Sequence, residues 1–134
     1  MLTLGVNDLE KSLSFYRDGL GLPTEGIIGQ ESEYGLVVMI NLQSGLTLAL
    51  WPRTSIAKDS GLALQPPSAT ELTIAHNVGS EEEVDAVLEQ ARQAGATMVK
   101  AAGKTFWGGY AGYFQDPDGH LWEIATHPHF VVED

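Results

Sequence analysis

The stretch Phe114-Gln115-Asp116-Pro117-Asp118-Gly119-His120-Leu121-Trp122-Glu123-Ile124 decides how this chain is read. Asp-Pro-Asp-Gly specifies a tight turn. Proline presets φ near −65°, the Asp side chains accept bonds from nearby backbone N–H groups, and glycine tolerates positive φ. Aromatic and β-branched residues on both sides make this turn the tip of a hairpin. Period-2 alternation after the turn puts Leu121, Glu123 and Ala125 on one face and Trp122, Ile124 and Thr126 on the other. A carboxylate among such apolar neighbours suggests a ligand or an acid/base group inside a sheet. The competing reading makes Glu123 a solvated residue on the open face of an antiparallel sheet.

An internal repeat organises the rest of the chain. Leu2-Thr3-Leu4-Gly5-Val6-Asn7 leads into a helical stretch through Tyr16 and stops at Gly19-Leu20-Gly21. Leu72-Thr73-Ile74-Ala75-His76-Asn77 leads into Ser80–Gln93 and stops at Gly95. Asn7 with Glu10, and Ser80 with Glu83, have the capping-box spacing. Leu9, Leu13, Tyr16 and Leu20 form one apolar stripe; Val84, Val87, Leu88 and Ala91 form the other. Three strand-like runs follow each helix: 26–30, 36–42 and 46–51, then 97–100, 109–115 and 120–126. The fold class is therefore α+β, two tandem βαβββ modules (1–51 and 69–134) joined by a proline-containing linker, 52–68. A repeat this short cannot bury both faces of its own sheet, so the modules are expected to pair. They can do so within one chain or between two.

Composition narrows the function. The 134 residues hold no cysteine, which excludes disulfides, thiolate metal sites and cysteine nucleophiles. Seven Lys and Arg against 18 Asp and Glu give a net charge of −11, the wrong sign for nucleic acid or an anionic membrane surface. No apolar run approaches the roughly 20 residues of a membrane helix, and the start has no signal-peptide pattern. A cytoplasmic protein with a small-molecule ligand and a second copy of itself as partner is the expectation.

These residues resemble the vicinal oxygen chelate superfamily, which includes glyoxalase I, extradiol dioxygenases and bleomycin- and fosfomycin-resistance proteins. The resemblance rests on Thr3-Leu4-Gly5-Val6-Asn7-Asp8-Leu9-Glu10-Lys11-Ser12, Phe15-Tyr16, Leu20-Gly21-Leu22 and the run Gly112–Glu123. Phe106-Trp107-Gly108-Gly109-Tyr110 adds a resemblance to the glyoxalase-like branch. It implies a curved mixed sheet around a central pocket, and commonly a homodimer. In metal-dependent members four inward side chains, from the first and last strands of each module, hold a divalent cation. Those positions fall here at about Met1, near Ala49, on Glu71 or Thr73, and on Glu123. Met1 and Ala49 offer no side-chain ligand for a hard cation. A start upstream of Met1 would leave the deficit at Ala49 standing. The resemblance thus implies either an incomplete metal site of Glu123 and Glu71 (for Zn, Ni, Fe or Mn) or no cofactor, and the missing ligands favour none.

Two functions remain. In the first the chain is a glyoxalase-like enzyme of lyase, isomerase or dioxygenase type, with Glu123 as base or partial metal ligand. In the second it is a metal-free, drug-sequestering binding protein with an aromatic pocket. Trp107, Tyr110, Tyr113, Trp51 and Thr73 are the candidates for contacting a small molecule. Tyr110 and Tyr113, three apart in a strand, point to opposite faces, so at most one of them can line the cavity. His76 reads as structural, and His127 and His129 as surface residues. No Ser-His-Asp signature, phosphate loop or dinucleotide fingerprint is present.

Overall fold

Each half of the repeat builds its own four-stranded mixed sheet in the computed structural model, which describes residues 1–30 and 35–129. The two units are Met1–Pro67 and Ser68–Asp134. Residues 31–34 of the first module and 130–134 of the second lie outside the described residues.

The first unit runs β1 (Leu2–Val6), α1 (Leu9–Leu13), β2 (Thr24–Ile28), β3 (Val37–Asn41), β4 (Thr47–Pro52) and α2 (Arg53–Ser60). Its sheet order is β1-β4-β3-β2, with β1 parallel to β4 and the other pairs antiparallel. The second unit repeats the plan as β5 (Thr73–Asn77), α3 (Glu81–Gln93), β6 (Thr97–Lys104), β7 (Tyr110–Gln115) and β8 (Leu121–Thr126), in the order β5-β8-β7-β6. The expected α+β architecture of two βαβββ modules is what forms.

Alternation decides which face each strand buries. Leu4 and Val6, Val38 and Ile40, and Leu48 and Leu50 are all buried on one face of the first sheet. In the second, Ile74, Phe114, Trp122 and Ile124 are buried with Val84, Leu88 and Ala91 of α3. The Phe114 and Trp122 rings stack there at 6.1 Å. Gly112 permits the close approach of the helix, since a Cβ at that position would lie 2.6 Å from Leu88 Cδ1.

The helix starts follow the sequence with one correction. Ser80 caps α3 as expected: its side chain accepts a bond from Glu83 N at 3.1 Å, while Glu83 accepts from Gly79 N. The first helix is capped by Asp8, not Asn7; Asp8 Oδ1 accepts from Lys11 N at 3.1 Å. Asn7 instead accepts a bond from Arg53. After Leu13 the helix widens into a π-helical stretch over Ser14–Gly19. This widening accompanies the burial of two consecutive aromatics, Phe15 and Tyr16, whose rings meet edge to face at 5.0 Å.

The segment 52–68 is not all irregular, because it begins with α2. Pro52 precedes the first turn and Gly61, at φ 81°, ends the helix. A proline just before a helix and a glycine just after it are ordinary helix punctuation. In a stretch with further prolines the same residues also read as a linker.

The decisive turn forms as expected. Asp116 is buried, and its Oδ1 accepts bonds from Asp118 N at 2.9 Å and His120 N at 2.8 Å. Gly119 takes φ 88°, the left-handed conformation that glycine adopts without strain. His120, directly after the turn, is half-buried.

Candidate active site

Glu123 sits in the middle strand of three, where β8 pairs with β5 on one side and β7 on the other. Its register partners are Ala75 and Tyr113. Trp122 and Ile124 turn toward α3, so alternation turns Glu123 to the opposite, open face. There it is half-buried, and Tyr113 donates its phenolic O–H to Glu123 Oε2 at 2.9 Å. Lys100 is the partner of Tyr113 on β6, so the rung reads Ala75, Glu123, Tyr113, Lys100.

This bond constrains both groups. Donation to the carboxylate holds the Tyr113 proton in place and pushes the phenol pKa up, with burial and the carboxylate charge acting in the same direction. The carboxylate is fixed through one oxygen. Among the described residues, Glu123 is held by an uncharged donor rather than paired with a cation, an arrangement suited to a group that exchanges a proton.

The remaining candidates fall into separate places. Thr73 begins β5 opposite Leu121 and shares the open face with Ala75 and Glu123. Tyr110 lies on the other face; its hydroxyl donates to Asp85 Oδ1 of α3 at 2.7 Å, and that bond raises its pKa. The two tyrosines thus divide between the faces as their spacing requires. Trp107 stands in the turn between β6 and β7 and stacks on His127 at 5.7 Å. Its indole lies over Gly109, where a Cβ would collide with it, so that glycine accommodates the chain's own tryptophan. Trp51 is half-buried near the end of β4, opposite Gly5 in the register.

Register also separates the alternatives Glu71 and Thr73. Thr3 pairs with Ala49, so Met1 stands two residues before that rung. Ala75 pairs with Glu123, so Thr73 is the repeat equivalent of Met1. Glu71 is exposed and precedes the strand. The four positions that the family resemblance implies then hold a thioether, a methyl, a hydroxyl and one carboxylate. That donor set does not fit a divalent cation, which needs several hard or nitrogen ligands. Among the described residues no group of three or more His, Asp or Glu side chains converges.

A separate groove of about 310 Å³ runs between α3 and β6, lined among others by Leu88, Arg92, Met98 and Val99. No helix among the described residues is long and apolar enough to cross a membrane.

Comparison with known proteins agrees with this architecture. Residues 1–124 match the Glyoxalase/Bleomycin resistance protein/Dioxygenase superfamily. Glutathione transferase FosA of Serratia marcescens is 31% identical over an alignment of 127 residues that covers 92% of this chain and 76% of that protein. The crystal structure of a glyoxalase-related enzyme from Fulvimarina pelagi superposes with a TM-score of 0.82 at 34% identity, covering 98% of this chain and 89% of that one. A mutant of FosX from Listeria monocytogenes, solved with Mn(II) and 1S,2S-dihydroxypropylphosphonic acid, gives a TM-score of 0.67 over 96% of this chain and 88% of its own. At 23% identity that likeness is one of fold, though it shows that a member of the superfamily carries a divalent metal.

Proposed function

The chain belongs to the glyoxalase/bleomycin resistance protein/dioxygenase superfamily, and on that premise we propose that it is a glyoxalase-like small-molecule enzyme with Glu123 as its acid/base group. The observation that carries this reading is the Tyr113–Glu123 pair: a half-buried carboxylate on the open face of the second sheet, oriented by a phenol. Glu123 receives a proton from a carbon or hydroxyl of the substrate and returns it to the product. Tyr113 keeps one carboxylate oxygen engaged so that the other faces the reacting atom. Thr73, on the same face, supplies a hydroxyl for a polar substrate group. A fixed base of this kind typically contributes about 10²- to 10⁴-fold in rate.

The step uses the chain's own residues because the donor set at the family positions does not fit a metal. A screen of small carbonyl, diol and epoxide compounds should find a turnover that Glu123→Gln lowers by at least about a hundredfold. Unchanged turnover in Glu123→Gln removes Glu123 from the chemistry. Saturable binding with no turnover for any compound favours the sequestering role instead. Metal analysis of dialysed protein should find no stoichiometric Zn, Ni, Fe or Mn.

A further inference from the structure

The groove between α3 and β6 joins uncovered apolar side chains to two walls of opposite charge, all within the second unit. β6 is the outer strand of its sheet and pairs only with β7 among the described residues. Its first five residues, Thr97 to Ala101, are exposed, with Met98 at 38% and Val99 at 52%. Both line the groove, together with Leu88, Glu89 and Lys100. β6 holds two lysines and no acid, in a chain of net charge −11. α3 holds five Asp and Glu residues against one Arg. Lys104 is engaged by Glu81 of α3, whereas Lys100 has no ion pair among the described residues. Glu89 accepts three bonds from Arg92 and Gln93 on its own helix, and a carboxylate has about four lone-pair sites, so it can take a further donor.

We propose that this groove is the contact surface for a second copy of this chain, related by a two-fold axis that lays β6 of each copy against the α3–β6 groove of the other. Copies of net charge −11 repel, so a self-contact needs a surface whose charge balances locally. The charged lining residues Asp85, Glu89, Arg92 and Lys100 are two acids and two bases. A two-fold contact sets residue i against j and j against i. It therefore brings the basic strand of each copy to the acidic helix of the other, with Lys100 facing Glu89 twice, and it removes Met98 and Val99 from water. The β6 register slips between Met98 and Lys100 and again between Lys100 and Gly103. Such bulges interrupt the outer row of backbone groups, so side chains make the contact rather than one continuous sheet.

Sedimentation velocity of the whole chain over micromolar concentrations tests this, with circular dichroism confirming the fold of each variant. Lys100→Glu sets two carboxylates together at both contacts, and Glu89→Lys sets two ammonium groups together at both. Each alone should weaken dimerisation about tenfold or more. An equimolar mixture of the two variants should recover wild-type affinity to within about threefold, because both contacts then join opposite charges. Val99→Glu puts a carboxylate into the apolar part of the groove and should weaken dimerisation by at least about tenfold. A wild-type chain that stays monomeric overturns the inference, as does a dimer whose affinity none of the three substitutions changes. A mixture that dimerises no better than its components overturns it too. A monomer whose Met98 and Val99 amides shift with a small ligand gives the groove a different occupant and overturns it as well.

Discussion

Removing the Tyr113 hydroxyl tests whether the Glu123 carboxylate is held as described. A hydrogen bond to a charged group contributes about 1.5–3 kcal/mol, and the lower end applies because both residues are half-open to solvent. Tyr113→Phe keeps the ring and should cost about 1.5 kcal/mol, lowering Tm by roughly 3–6 °C in a domain of this size. Glu123→Ala removes the acceptor. In a double-mutant cycle followed by urea denaturation, the two changes should couple by about 1–1.5 kcal/mol. A second readout is independent of stability. With the carboxylate gone, the Tyr113 phenol pKa, raised in the wild type, should fall back toward about 10 in a ¹³C-tyrosine titration. A coupling below about 0.3 kcal/mol, with the phenol titrating alike in wild type and Glu123→Ala, refutes the pairing.

Three further outcomes follow from the packing and charge. Gly112→Ala would place its Cβ 2.6 Å from Leu88 Cδ1 and 2.9 Å from the Lys100 carbonyl, so thermal denaturation should show a loss of about 1–3 kcal/mol; a loss under about 0.5 kcal/mol contradicts the close α3 approach. Partial desolvation lowers the pKa of His76, an exposed residue of β5, below 6.5 against the opposing pull of Glu83, so between that lowered value and 6.5 the unfolded chain binds a proton that the folded chain does not. Stability should therefore fall as pH drops through this window, more steeply than in His76→Gln, and equal slopes would exclude His76 as the cause. We expect a homodimer, because modules of this length bury little surface alone, and a concentration-independent monomer mass by light scattering would rule it out.

What the chain discloses of itself depends on how local the signal is. The hairpin at Asp116–Gly119, the Ser80 cap and the Trp122/Glu123 alternation are written in neighbouring residues, and all three form as read. Asp8 and Asn7 are both good caps; Asp8 caps the helix, while Asn7 accepts a bond from Arg53 of α2, a contact no local pattern carries. The helix α2 is weakly amphipathic and its bracketing Pro52 and Gly61 also mark loops, so sequence pattern favours a linker there. That Thr73, and not Glu71, occupies the repeat position of Met1 follows from strand register, which no local pattern carries. The Tyr113–Glu123 bond likewise joins residues on two strands, and the cross-strand register brings them together. The ligand itself is recorded in no motif, since a fold of this kind hosts many chemistries.

We propose that the face bearing Thr73, Tyr113 and Glu123 receives the small molecule. A fragment library of carbonyls, diols and epoxides, titrated into ¹⁵N-labelled protein, tests it most directly. Saturable shifts centred on the Thr73, Ala75, Tyr113 and Glu123 amides, weakened in Glu123→Gln, are expected. Shifts that gather instead in the groove between α3 and β6, around Leu88, Met98 and Val99, would contradict it.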